Sequence, residues 1–111
     1  MKLAIIGSRA IHTLHIDDYI HEKPDCIISG GATGIDTIAW GWAVDNNIEI
    51  IVIRPNYNIY GRAAPLRRND IIIEKADKIV AFWDGKSRGT KYVIDKAQKM
   101  NKDIEIIMIP T

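Results

Sequence analysis

The chain has no second cysteine, no surplus of charge of either sign and no apolar run of membrane length. With Cys26 alone an internal disulfide is impossible, and its place in an apolar run reads as a buried structural thiol. A reducing, cytoplasmic setting is the expectation. Lys and Arg number 15 against 14 Asp and Glu, a net charge of +1. That balance supplies no general field for a nucleic-acid backbone or an anionic membrane, so any cationic focus must be local. The apolar opening stops at Gly7, too short for a signal-peptide core, and nothing approaches the roughly 20 apolar residues of a membrane span. His12, His15 and His21 stand at no metal-ligand spacing from cysteine or acidic residues, and no Ser-His-Asp set can be assembled. Neither a metal nor a cofactor is expected. The 111 residues predict one domain, 1–111, able to bury a core without staples.

What is present is concentrated in a few places. The six arginines, Arg9, Arg54, Arg62, Arg67, Arg68 and Arg88, fall in or just after segments that read as loops following a strand. The same loops hold the glycine clusters Gly7-Ser8-Arg9, Gly30-Gly31-Ala32-Thr33-Gly34-Ile35-Asp36 and Asp84-Gly85-Lys86-Ser87-Arg88-Gly89-Thr90. Most lysines instead fall at strand starts and helix ends, where solubility explains them. Arginine's planar fork suits bidentate contact with phosphate or carboxylate, and glycine lets backbone N–H groups approach closely. The segregation points to a phosphate-bearing ligand.

Five short apolar runs, residues 3–6, 26–29, 50–53, 79–83 and 104–109, lack polar alternation, the pattern of strands buried on both faces. Helical patterns lie between them, the clearest placing Ile35, Ile38, Ala39, Trp42 and Ala43 on one face. The predicted fold is α/β, a Rossmann-like doubly wound sheet of five parallel strands. Right-handed crossovers put every strand-to-helix loop at the carboxyl edge, where open α/β sheets bind ligands. The order 3-2-1-4-5 is preferred to 2-1-3-4-5 because it makes the three glycine-rich loops neighbours. Residues 54–63 then form a crossing connection longer than the roughly 2–6 residues usual there. Carrying Arg54, Tyr57, Tyr60 and Arg62, it reads as a lid over the site or, alternatively, as a solvated loop.

Residues 30–34 followed by an amphipathic helix offer unpaired N–H groups and the positive end of a helix dipole to an anion. A tight turn needing positive φ is the plainer alternative. The spacing is not the dinucleotide fingerprint G-x-G-x-x-G. Asp36 is either a helix-dipole partner or an acceptor for a ligand hydroxyl. Gly85-Lys86-Ser87 resembles the tail of a Walker A loop, but Val80 stands where that motif needs glycine. Thr90 is expected to N-cap the last helix, leaving Ser87, Arg88 and Gly89 to face a phosphate. The third helix should start near Pro65 and run to about Ala76, with an apolar arc of Leu66, Ile72, Ile73 and Ala76. Asn69 falls within that arc and is expected to point into the site, with Arg68 on its flank and off the core; capping of a neighbouring backbone group is the alternative. Trp40 and Val44 form a second apolar stripe, for a partner subunit or for plain partial burial.

The segments Ile5-Ile6-Gly7-Ser8-Arg9, 30–36, Gly61-Arg62-Ala63-Ala64 with Arg68-Asn69, and Ala81-Phe82-Trp83 with 84–90 together resemble the SLOG superfamily. That group of Rossmann-like nucleotide-binding proteins includes the cytokinin-activating phosphoribohydrolases and the DNA-processing protein DprA. The nearest resemblance is to its small single-domain YspA/YpsA-related branch. In the enzymatic relatives a Pro-Gly-Gly-x-Gly-Thr-x-Glu-Glu motif supplies a glutamate that, with an arginine of the preceding helix, cleaves a nucleotide N-glycosidic bond. Here Gly89-Thr90 persists and Arg68 can stand for the arginine, but Tyr92 and Val93 occupy the glutamate positions and Gly85-Lys86-Ser87 replaces Pro-Gly-Gly. Glycosidic cleavage wants a carboxylate, for which only Asp36 or Asp84 could substitute. The resemblance therefore implies nucleotide binding more than hydrolysis.

The leading expectation is a module that binds a nucleotide or ADP-ribose-like phosphorylated metabolite, as a sensor or sequestering protein. Gly30, Gly31, Gly34, Arg88, Gly89 and Thr90 would hold phosphate, Asp36 or Asp84 ribose, and Tyr57, Tyr60 or Trp83 the base. Gly7, Ser8, Arg9, Ala32, Arg62, Arg68, Asn69, Gly85 and Ser87 complete the expected ligand set. The rival is an N-glycosidic hydrolase or transferase acting on a nucleoside monophosphate, with Arg68 orienting and Asp36 or Asp84 as the carboxylate. Single-strand DNA binding of the DprA type is a third class, disfavoured by the near-neutral charge and the lack of an extended basic-aromatic groove. The expected partners are thus a nucleotide-like small molecule and further copies of the chain, as a dimer or higher homo-oligomer, with neither membrane nor nucleic acid.

Overall fold

Apolar residues that do not alternate with polar ones build the centre of a sheet. In the computed structural model, which describes residues 1–110, the strands are β1 (Lys2–Gly7), β2 (Cys26–Ser29), β3 (Glu49–Val52), β4 (Lys78–Trp83) and β5 (Asp103–Met108). The helices are α1 (Ile35–Asp45), a single turn α2 (Tyr57–Tyr60), α3 (Ala64–Lys75) and α4 (Arg88–Lys99), with 3-10 turns at Ile16–Asp18 and Gly61–Ala63. All four strand pairings are parallel and the order is β3-β2-β1-β4-β5, a Rossmann-like α/β sheet of the order the glycine-rich loops required.

The pleat sends alternate residues of each central strand to opposite faces, and each face has its own helical cover. Leu3, Ile5, Ile27, Val80 and Phe82 pack with Ile35, Ala39 and Ala43 of α1 and with Ile11 and Ile16. Ala4, Ile6, Ile28, Ile79 and Ala81 pack on the other side with Ile72 and Ile73 of α3 and Val93, Ile94 and Ala97 of α4. Burying one such aliphatic side chain is worth about 1.5–3 kcal/mol, so these two clusters set the stability. Ile38 and Trp42, the flanks of the α1 stripe, are partly buried against the first cluster.

Burial on both faces holds for β1, β2 and β4 but not for the outer strands. No residue of β3 or β5 is fully buried, because each has a neighbour on one side only, and Val52, Ile106 and Met108 are exposed. Two helices end on asparagines in the left-handed region, Asn47 (φ 56°) after α1 and Asn101 (φ 54°) after α4. The following amides, of Ile48 and Lys102, donate back to Ala43 and Ala97 carbonyls at 2.8 and 2.9 Å, closing both helix ends. The crossing connection, read as a lid or a loop, is organised into α2 and the turn that follows, and Asn56 caps α2 by accepting the Ile59 N–H at 3.2 Å.

Cys26 is buried within β2. No helix of the described residues is long and apolar enough to cross a membrane.

Candidate functional site

The strand order sets the loops after β2, β1 and β4 side by side at the carboxyl edge, facing the start of α3. A cleft of about 450 Å³ lies there. The β1 and β2 loops contribute Gly7, Arg9, Gly30, Ala32 and Asp36; α3 contributes Arg68 and Asn69; the β4 loop and the start of α4 contribute Asp84, Ser87, Gly89 and Thr90.

Arg68 is the centre of this arrangement and its burial corrects the reading of α3. The helix buries Ala64, Arg68, Ile72 and Ile73, whereas Leu66 is 43% exposed. Arg68 therefore lies in the buried row, one turn from Ala64 and one from Ile72, and not off the core. Its Nη1 donates to the Gly30 carbonyl at 2.6 Å and its Nε to Asn69 Oδ1 at 2.8 Å. Asn69 thus lines the cleft and orients the guanidinium. A Cβ on Gly30 would fall 2.5 Å from Arg68 Nη1 and 3.2 Å from Asp36 Oδ2, so any larger residue would displace the guanidinium from its present seat.

The two candidate carboxylates differ. Asp36 lies in the first turn of α1 and accepts the Ala32 N–H at 2.9 Å. Burial pushes its carboxyl above the usual carboxylate range, against the opposing pull of that N–H and of the Arg68 and Arg9 charges. Burial likewise lowers the Arg68 guanidinium from its ordinary value, with the Asp36 charge opposing. Asp84 is held below the usual range by the Ser87 and Lys86 N–H groups, each 2.8 Å from its Oδ1. Its carboxylate closes its own loop, and its backbone N–H donates to Ser8 Oγ at 3.1 Å, tying that loop to β1.

The helix cap at α4 differs from expectation. Ser87, not Thr90, is the N-cap: its Oγ accepts the Thr90 N–H at 3.3 Å, and Thr90 is 4% exposed. Ser8 is fully buried between the loops, and Gly34 (φ 74°) turns the chain into α1 against the Arg9 backbone. Trp83 points its Nε1 to the Ser87 carbonyl at 3.0 Å and packs against the α3–α4 side of the sheet. Arg62, Arg88, Gly85 and Tyr60 are exposed and do not line the cleft. Arg67 turns outward to Asp70 at 3.5 Å. Gly31, Tyr57 and Arg54 line an adjoining hollow of about 440 Å³ that shares Arg9, Gly30, Ala32 and Arg68 with the cleft.

Arg54, expected on a lid or loop, lines the hollow itself, and Lys86, outside the expected ligand set, lines the cleft; both lie just beyond apolar strand runs on the same sheet edge. That position was the available signal. Among the described residues there is no group of three or more His, Cys, Asp or Glu placed to hold a metal ion.

An open parallel α/β sheet with an arginine-lined cleft at its carboxyl edge defines a Rossmann-like protein. The chain belongs to the YspA, cpYpsA-related SLOG family, whose profile matches residues 1–60. It is similar to the Gene 61 protein of Mycobacterium phage D29, at 32% identity over 74% of this chain and 72% of that protein. No solved structure matches.

Proposed function

We propose that the cleft binds a nucleotide or an ADP-ribose-like phosphorylated metabolite, and that the protein acts as a sensor or sequestering module. The observation that carries this reading is the Arg68 guanidinium seated on Gly30, with the Asp36 carboxylate beside the same glycine and Arg9 on the same wall. Arginine forks phosphate, an adjacent carboxylate accepts ribose hydroxyls, and the bare Gly30 backbone lets these two charged groups converge on one spot. The Gly89 and Thr90 segment at the start of α4 adds the positive end of a twelve-residue helix. Native mass spectrometry of the protein purified from cells tests the reading: a retained nucleotide-mass ligand is expected. Titration should also show AMP binding well above adenosine, and equal affinities for the two would remove the phosphate from the reading.

A hydrolase reading is favoured by one observation, the raised Asp36 carboxyl beside Arg68, since a poised acid in a cleft is a feature of catalysis. Against it, Tyr92 spends its hydroxyl on Asp70 at 2.7 Å and Val93 is buried at the positions where the enzymatic relatives place glutamates. We expect AMP to release no free base on incubation. Chromatography decides, and turnover lost in Asp36→Asn would establish the enzyme instead.

The same proposal includes a homo-oligomer in contact through Trp40 and Val44 on α1, which are 54% and 49% exposed. Sedimentation of the wild type and of Trp40→Ser tests it, with loss of the assembly in the variant expected.

A further inference from the structure

Two guanidiniums lie on consecutive glycines of the loop after β2. Arg68 covers Gly30, and Arg54, just past the end of β3, covers Gly31, where a Cβ would fall 3.0 Å from Arg54 Nη1. Beyond Arg54 opens the second hollow, with Pro55 and Tyr57 on its wall. Its charge differs from that of the first cleft. The first carries Asp36 and Asp84 among its cations, whereas the second is lined by Arg9, Arg54 and Arg68 with no carboxylate among its lining residues. Among the described residues neither Arg9 nor Arg54 has a carboxylate within 4.0 Å. Like charges gathered on one hollow repel, and a bound anion relieves that repulsion while meeting their fork-shaped donors, of which Arg68 is already held in place.

We infer that this hollow is a second anion subsite built by Arg54 with Arg9, so that the ligand is a nucleotide carrying a second phosphoryl group. The inference rests on the nucleotide reading above and narrows it. A phosphate with neighbouring hydroxyls suits the first cleft, where acids and bases mix. A further phosphoryl group suits the second, which adds Arg54 to the shared Arg9 and Arg68 and brings no carboxylate into its lining.

Titration calorimetry of the full chain with AMP and with ADP-ribose, in the wild type, Arg54→Gln and Arg54→Lys, tests it. One added charge-assisted contact predicts ADP-ribose binding about tenfold or more tighter than AMP in the wild type. Arg54→Gln should remove about tenfold of the ADP-ribose affinity and change that of AMP by less than about twofold. Arg54→Lys keeps the charge without the fork and should fall between. Arg54 is exposed, so the melting temperature should not move; if Arg54→Gln nonetheless fails to fold, the wild-type ratio and Arg54→Lys decide. AMP and ADP-ribose binding equally, or losing equally in the variant, overturns the second subsite and leaves the nucleotide reading standing. Binding of neither overturns both.

Discussion

Arg68 makes a structural contact and, in the proposed reading, also a recognition contact, and the two are separable by experiment. Its Nη1 satisfies the buried Gly30 carbonyl, so Arg68→Ala strips a charged donor from that oxygen and leaves a void below the cleft. The expected cost is about 1–3 kcal/mol, seen as a lowered melting temperature, in addition to lost phosphate affinity. An unchanged melting temperature would show the Gly30 bond to be dispensable. Asp36 works in the opposite direction. Its carboxyl is raised in the folded state by burial, so the folded protein holds that proton more tightly than the unfolded chain does. Stability from this group is therefore full below the ordinary carboxylate range and is lost as pH rises through the raised value. Asp36→Asn should melt higher than the wild type at neutral pH, and the difference should vanish in acid; a variant less stable at neutral pH contradicts the assignment. That Arg68 would face the carboxyl-edge cleft was legible from its place beside Asn69 in the first half of the third helix. Its burial was not, because the apolar arc was drawn through Leu66, which the fold leaves 43% exposed, and a polar residue is not counted when an apolar face is drawn.

At the scale of elements, α3 and α4 are joined by a charged clasp whose residues do not line the cleft. Asp70 takes the Tyr92 hydroxyl at 2.7 Å, the Lys96 ammonium at 2.7 Å and the Arg67 guanidinium at 3.5 Å, with its own side chain 13% exposed. Burial pushes its carboxyl up, but the Lys96 and Tyr92 contacts outweigh that and hold it below the usual range. A depressed value means stability present at neutral pH and lost as pH falls through it. Asp70→Ala should lower stability by about 1–3 kcal/mol at neutral pH, with a gap to the wild type that closes in strong acid. Melts across pH check this, and a gap that widens in acid refutes it. The clasp also gives Tyr92 a structural duty, its hydroxyl being spent between the two helices. None of this was legible, since pairing between helices depends on their relative placement and not on either period alone. β1, β2, β4 and α1 were legible because uninterrupted apolar runs and a 3.6-residue stripe have few other solutions. The four-residue α2 was not, being too short to show a period.

On the scale of the molecule, charge is segregated rather than abundant. The chain carries +1 overall, yet the two adjoining hollows gather Arg9, Arg54, Arg68 and Lys86 against Asp36 and Asp84. The strand order does this gathering: with β1 between β2 and β4, loops from opposite halves of the sequence meet at one edge. That order was inferable because scattered glycine-rich loops make one anion site only if they are neighbours. The division of the site into a mixed cleft and a purely cationic hollow was not, since it depends on which way Arg54 and Arg68 turn from their backbones. A local cationic focus on a near-neutral protein makes a specific forecast about salt. Nucleotide affinity should fall as ionic strength rises from roughly 0.01 to 1 M, over which the screening length shrinks from about 30 to 3 Å. Because the surrounding surface is nearly balanced, the fall should follow the charge of the ligand: steeper for ADP, with its terminal phosphoryl group, than for AMP, and absent for adenosine. Calorimetric titration of the three ligands at several salt concentrations measures it. Salt-independent binding of AMP would mean that the contacts are apolar or fully enclosed, and the arginine-lined edge would lose its claim to be the binding surface.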